Sequence, residues 1–255
     1  MKKQNWLFFP FILAMGICLF GCNFGNNTGN VWNPQNTLAV VVSSDAVSGG
    51  TLFGTPMLST PYGYFAAPSL NSDYIGSCLL LSQFTIDFDN QPSTEYYTAT
   101  NISGTTIDQQ PFVQQGDTAD LNGYTLPMTD ASAIINTPSN AYYQGKCFLG
   151  IACKDKNPSF DMIYNDDEQV AAGKPNLYLR AKASSGSSDS QSIIYAFDMS
   201  SLVQNYGRDT TIAVSGADGV KLKYIVANLK YLSGMVDDEP VYTSVQDPLY
   251  VYSFQ

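Results

Sequence analysis

Few side chains in this chain are equipped for chemistry, and their types and spacing bound what it can do. None of the 255 residues is a histidine, which removes Ser-His-Asp and Cys-His catalysis and every zinc site that needs imidazole. Neither Gly-x-Ser-x-Gly nor Ser-x-x-Lys occurs, and glycine-rich phosphate loops are missing, so nucleophilic hydrolases and nucleotide enzymes have no support. Asp87 and Asp89 stand two apart, as a glycosidase carboxylate pair on one strand face would. They alternate with Ile86 and Phe88, however, which is the pattern of a solvated strand face. The run Asp87-Phe-Asp-Asn-Gln91 begins like a calcium loop but lacks the glycine at the sixth position and the glutamate at the twelfth. Asp166-Asp-Glu168 and Asp237-Asp-Glu239 are acidic clusters that could hold calcium weakly; as short runs in turns they read first as solvated. No catalytic residue, metal site or cofactor is assigned.

Two further residue classes invite a reading. The tyrosines Tyr62, Tyr64, Tyr74, Tyr96, Tyr97, Tyr142 and Tyr143 could stack on sugars, yet tyrosine is also a favoured strand residue with one wet end, and that structural reading is preferred. Cys147 and Cys153 close an apolar run, Cys147-Phe-Leu-Gly-Ile-Ala-Cys153. Six residues of strand span roughly 20 Å, too far for a disulfide unless the run bends. With Cys78 they are expected to be buried small hydrophobes, although a bridge from Cys78 to one of them stays open.

The N-terminus carries the sharpest signal. Lys2 and Lys3 precede an apolar run, Trp6 to Phe20, that is too short to span a membrane comfortably. It ends in Leu19-Phe-Gly-Cys22, which resembles the bacterial lipobox. By that resemblance residues 1–21 are a signal peptide, and Cys22 is the lipid attachment site, acylated with palmitate-type chains. Each buried methylene adds about 0.8 kcal/mol, so several chains make release negligible. Residues 22–37 open with Asn23-Phe-Gly-Asn-Asn-Thr-Gly-Asn30 and read as a flexible tether. In similar lipoproteins of Gram-negative gut anaerobes, acids just after the cysteine mark export to the surface. None stands here, so the periplasmic face of the outer membrane is favoured over the cell surface.

The elements beyond the tether follow a period of two. Leu80, Phe84, Ile86 and Phe88 form the apolar side of a strand over 79–89, and Glu95–Ile102 restarts an extended run, giving an antiparallel hairpin. Further strands are expected at Leu38–Val42, Gly63–Ala66, Cys147–Cys153, Phe160–Tyr164, Asn176–Ala183, Ser192–Met199, Thr210–Val214, Val220–Tyr231 and Leu249–Phe254. Asp130–Ile135 and Ser200–Tyr206 are the helix candidates. From Gln4 to Gly145 there is no Lys or Arg against nine acids, whereas ten bases and thirteen acids follow. That break, with Pro127 and Pro138, places an acidic domain over 38–130 and a second domain over 131–255. The net charge of −10, which becomes −12 once Lys2 and Lys3 are removed, excludes nucleic acid as a partner.

Two stretches carry a family likeness. Asp73-Tyr-Ile-Gly-Ser-Cys-Leu-Leu-Leu-Ser-Gln-Phe-Thr-Ile-Asp-Phe-Asp89 with Glu95–Ile102, and Asn176-Leu-Tyr-Leu-Arg-Ala-Lys-Ala183 with Ser192–Leu202, resemble the two domains of NigD-like lipoproteins. Ser77 and Ala181 depart from that pattern, replacing an acid and a histidine. Period-two strands, scarce helices and the mid-chain break favour an all-β chain of two antiparallel β-domains; the resemblance implies an OB-like small barrel followed by a β-sandwich, and no enzyme activity. The expected function is a lipid-anchored envelope protein that binds or braces an envelope protein or glycan. A carbohydrate-binding or carbohydrate-active surface lipoprotein is one alternative, motivated by tyrosines and paired aspartates. A pilus-type structural subunit is another, with Leu249–Phe254 as donor strand. Asp117-Thr-Ala119 and Asp209-Thr-Thr211 resemble a short O-glycosylation pattern of the same anaerobes.

Overall fold

The computed structural model describes residues 30–254 apart from 47–53, 61, 93–95, 111–113, 135–141, 144, 156, 166–167, 169–173, 185–190, 213–219 and 247. The expected signal peptide, Cys22 and most of the expected tether therefore lie outside the described residues. The chain is predominantly β, as expected. Its contacts divide it into two units, 1–107 and 108–255. This division falls before the expected boundary at 130/131, because 108–130 belongs with the second core. Leu121 and Met128 are buried there, and Leu126 bridges Ala181.

Unit 1 holds β1 (Val31–Trp32), β2 (Gln35–Ser43), β3 (Pro56–Thr60), β4 (Gly63–Ala66), β5 (Cys78–Asp87) and most of β6 (Ala99–Gln110). The strands run in the order β4-β3-β2-β5-β6 with antiparallel ladders, and β1 adds to β5. The expected hairpin is β5–β6, pairing Ile86 with Ala99. Two register shifts within β5, between Leu81 and Gln83 and between Gln83 and Thr85, exchange its inward parity. Leu79 and Leu81 face the core before the shifts and Phe84 and Ile86 after them, so Leu80 does not join the apolar side that plain alternation assigns to it. Opposite the first shift, a Cβ on Gly104 would sit 2.4 Å from the Leu80 carbonyl oxygen, so β6 can approach only without a side chain there. The expected small barrel is not closed. Its edge strands meet at one parallel bridge, Ala66 to Thr98, where the Ala66 N–H donates to the Tyr97 carbonyl at 2.8 Å; a ladder would be needed to seal it.

Unit 2 contains β7 (Gln114–Gln115), β8 (Met128–Ala133), β9 (Tyr142–Tyr143), β10 (Lys146–Cys153), β11 (Ser159–Tyr164), β12 (Asn176–Lys182), β13 (Gln191–Asp198), α1 (Ser200–Tyr206), β14 (Arg208–Ile212), β15 (Val220–Val236), β16 (Glu239–Ser244) and β17 (Leu249–Phe254). In one sheet residues 108–110 pair with β13, followed by β10 and β8, while β9 adds to β10. The other runs β14-β15-β12-β11-β7, with β16 and β17 also on β15. A shared core lies between them. Cys147, Leu149, Ile151, Tyr195 and Phe197 come from the first sheet, and Phe160, Met162, Leu177, Leu179 and Leu229 from the second. This is the sandwich the sequence suggests, but it is mixed rather than antiparallel. β12 with β15, β7 with β11, and β13 with 108–110 are parallel. Between β12 and β15 the chain runs through β13, α1 and β14 before returning, which is the long crossover that parallel pairing needs. The expected helix at Asp130–Ile135 is instead β8 over its described part. Ala131 and Ala133 favour helix by intrinsic propensity, but pairing of Ala131–Ala133 with Leu149–Ile151 overrides it.

Candidate functional site

Alternation in β11 and β12 determines what the outer face of the second sheet presents. With Phe160, Met162, Leu177, Leu179 and Ala181 turned to the core, Asp161, Tyr178 and Arg180 must point the other way. Asp161 and Arg180 are direct register partners. The guanidinium grips the carboxylate at both ends, Nε to Oδ1 at 2.9 Å and Nη2 to Oδ2 at 2.6 Å. Its remaining nitrogen, Nη1, donates to the carbonyl of Asp120 at 2.6 Å, and Cζ lies 5.7 Å from the Tyr124 ring centroid. Tyr242 donates to the Thr118 carbonyl at 3.2 Å. Segment 117–124 is thus strapped over the pair, and both charges are buried. Burial opposes the Arg180 charge, but the Asp161 carboxylate more than offsets it and the guanidinium pKa is raised. With every donor nitrogen of the guanidinium engaged, the group fastens a loop.

Beside this pair lies a second polar group. Glu168 Oε1 accepts from Asn176 Nδ2 at 2.5 Å and from the Tyr178 hydroxyl at 2.7 Å, with Lys230 Nζ at 3.7 Å. Lys230 Nζ also donates to the Tyr178 hydroxyl at 3.2 Å, and Asn228 Nδ2 donates to Asn176 Oδ1 at 3.1 Å. Burial, reinforced by the Glu168 carboxylate, pushes the Tyr178 phenol well above its usual range. Parallel pairing of β12 with β15 creates this cluster by setting Asn176 opposite Asn228 and Tyr178 opposite Lys230. Sequence reasoning missed it. The only available signal was polar residues alternating with apolar ones in two separate strands, and their pairing is not written in either.

The candidates read from the sequence mostly turn out to serve local structure. Asp87 accepts from the backbone N–H groups of Asp89 and Asn90 and from Asn90 Nδ2, and these bonds, the Asn90 side chain first, hold its pKa below the usual carboxylate range. Both Asp89 oxygens accept from Asn30. Of the first acidic cluster, Asp166 and Asp167 lie outside the described residues and Glu168 is in the network above. In the second, Asp237 and Asp238 are the two central residues of the β15–β16 hairpin, both at positive φ (51° and 66°), the type I′ geometry that aspartate tolerates. Among the described residues no three His, Cys, Asp or Glu side chains group around a metal position.

Cys78, Cys147 and Cys153 are buried and form no disulfide with one another. Burial pushes the Cys147 thiol up to about 12 and raises that of Cys153. Tyr62 packs edge-on against Trp32 at 4.8 Å, and Tyr97 against Phe88 at 5.1 Å, so both complete the rim of the first core. Tyr74 is exposed; the side chains of Tyr142 and Tyr143 are outside the described residues. Asp117 caps its own turn by accepting from the Ala119 N–H at 2.9 Å, and Asp209-Thr-Thr211 lies in β14. The possible donor strand is β17, paired over Leu222–Ala227 of β15 in its own unit.

No protein-family model matches the sequence, and no curated protein matches it. Several solved structures are similar to the chain. An uncharacterized protein of Parabacteroides merdae aligns with a TM-score of 0.52 at 13% identity, over 88% of this chain and 98% of that one. A candidate lipoprotein of Bacteroides fragilis aligns at 0.46 and 14% identity, covering 87% and 97% of the two chains. A NigD-like immunity protein of Bacteroides caccae aligns at 0.45 and 11%, covering 86% and 94%. The first of these, at 13% identity, shows a likeness of fold alone.

Proposed function

We propose that the chain is a lipid-anchored protein of the Gram-negative cell envelope that binds or braces a partner without catalysing a reaction. The observation that carries this reading is the ordered N-terminal series: basic start, apolar run too short to span, Gly21, then Cys22. Acylation there tethers both β-units to a bilayer through the Asn- and Gly-rich segment. The outer membrane, on its periplasmic side, is the favoured site, since no acid stands among residues 23–30. The resemblance to NigD-like lipoproteins likewise implies no enzyme activity.

The non-catalytic part is supported by how the reactive groups are used. Asp87 and Asp89 cap a turn and a strand end, Asp237 and Asp238 form a hairpin turn, and Arg180 straps a loop. The first unit has no Lys or Arg among its described residues, which favours a neutral or basic partner.

Replacing Cys22 with serine tests the anchor. The wild type is expected to partition into membranes and to label with palmitate, and Cys22→Ser to lose both. A variant that keeps both overturns the proposal. The partner half is read by cross-linking from envelope extracts, where recovery of no specific protein or glycan would count against it.

A further inference from the structure

Five side chains on the outer face of the second sheet are arranged as for an acyl transfer between two of them. Lys230 on β15 supplies an amine, and Asn176 on the adjacent β12 supplies a carboxamide. Glu168 Oε1 touches the nitrogens of both, Asn176 Nδ2 at 2.5 Å and Lys230 Nζ at 3.7 Å. Asn228 Nδ2 donates to the carbonyl oxygen of the same carboxamide at 3.1 Å, where negative charge would develop on attack. Tyr178 holds the amine and the carboxylate together, bonded to each. The second carboxylate oxygen, Oε2, is buried and has no hydrogen-bond partner, so it is open to receive a proton. Lys230 and Glu168 are about three-quarters buried, with side-chain exposures of 25% and 28%.

From this arrangement we infer that Lys230 condenses with Asn176 to form a side-chain amide that cross-links β12 to β15. Glu168 takes a proton from the ammonium, and the freed Nζ attacks Asn176 Cγ. The oxyanion is met by Asn228. Glu168 then returns its proton to Nδ2 and passes the second proton of Nζ to the same departing nitrogen, so the Nζ–Cγ bond forms, the Cγ–Nδ2 bond breaks and ammonia leaves as ammonium. Neither oxidant nor cofactor enters the balance. The four-carbon stem of Lys230 is flexible, and the Glu168 Oε1 that lies 2.5 Å from Asn176 Nδ2 and 3.7 Å from Lys230 Nζ stands between the two reactants. Holding both reactants in one sheet supplies the proximity that makes an otherwise slow amidation competitive.

Peptide mapping of the full chain purified from membranes tests this. A tryptic digest is expected to contain a branched peptide joining the Asn176 and Lys230 segments, lighter than their sum by one ammonia, with no cleavage after Lys230. Linear peptides carrying intact Asn176 and cleaved after Lys230 overturn the inference. A succinimide at the exposed Asn122-Gly123 turn also loses one ammonia but gives no branch, so the branch decides. Lys230→Arg and Glu168→Gln should each abolish it. Persistence of the branch in folded Glu168→Gln would overturn the proton-carrying role assigned to Glu168, and the wild-type map stands even where a variant fails to fold.

Discussion

The two units satisfy their carboxylates by different means. In unit 1 the described acids have no cation to meet, and Asp45, Asp73, Asp87 and Asp89 are engaged by serine or asparagine side chains or by backbone N–H groups. Its core is ringed by aromatics, with Trp32 4.8 Å from Tyr62 and 5.9 Å from Phe84. In unit 2 the ion pairs Lys146–Asp198, Arg180–Asp161 and Lys230–Glu168 lock neighbouring strands and loops. Among the described residues only unit 2 buries a pair of opposite charges, Arg180 with Asp161. A unit without cations must keep its acids at the solvated rim, because an unpaired buried carboxylate costs more than a turn can return.

The largest test of that contrast is Arg180→Ala, which leaves Asp161 buried without its partner and frees 117–124. It should destabilise unit 2 by about 3–5 kcal/mol in urea unfolding, whereas the paired change Arg180→Met with Asp161→Leu should recover much of the loss. Equal losses from both would show that the strap, not the charge, matters. The counterpart in unit 1 is Phe84→Ala, at a fully buried ring. A loss of about 3–5 kcal/mol is expected, carried by tryptophan fluorescence, since Trp32 packs on that ring and unit 2 contains no tryptophan.

Smaller effects sharpen the picture. Asp238→Val places a β-branched residue at positive φ and should cost about 1–2 kcal/mol, while Asp238→Gly should be neutral or stabilising, both by thermal unfolding. Acid should act on each unit through a different carboxylate. The Asp87 pKa is lowered in the fold, so its contribution is present above the ordinary value of 3.8 and is lost as pH falls through the lowered one. Asp198 behaves alike. Burial works to raise it, but bonds from Ser200 and the Lys146 ammonium prevail and lower it. Asp87→Asn should flatten the acid limb of unit 1 alone, and Lys146→Met that of unit 2, as followed by amide exchange. The thiols give the smallest signal. With Cys147 pushed up to about 12 by burial, it should resist iodoacetamide at neutral pH until the unit unfolds.

Much of the strand content was legible because period-two alternation registers directly which face is buried. The β5–β6 hairpin, β10 to β13, β15 and β17 all lie where alternation or apolar runs place them, and Ser200–Tyr206 is the helix expected. Other elements were illegible for identifiable reasons. Pro56–Thr60 is buried throughout, so it shows no alternation. Glu239–Ser244 looks like an exposed polar run and is a strand because the Asp237-Asp238 turn folds it back on β15. Leu80 was assigned to the wrong face because the register shifts of β5 depend on how closely β6 approaches at Gly104.

The sequence by itself determined what the protein cannot do and where its reactive groups are scarce. Absent histidine, a span from Gln4 to Gly145 without Lys or Arg and a cysteine after a short apolar run are facts of composition and order, and no folding alters them. Tertiary structure alone decided which carboxylates meet a cation. Asp161 faces Arg180 because β11 and β12 pair in one register, and Glu168 gathers Asn176, Tyr178 and Lys230 because β12 and β15 lie parallel after a long crossover. Pairing between distant strands is set by the packing of a shared core, and that information is spread over the whole chain rather than held in any one segment of it.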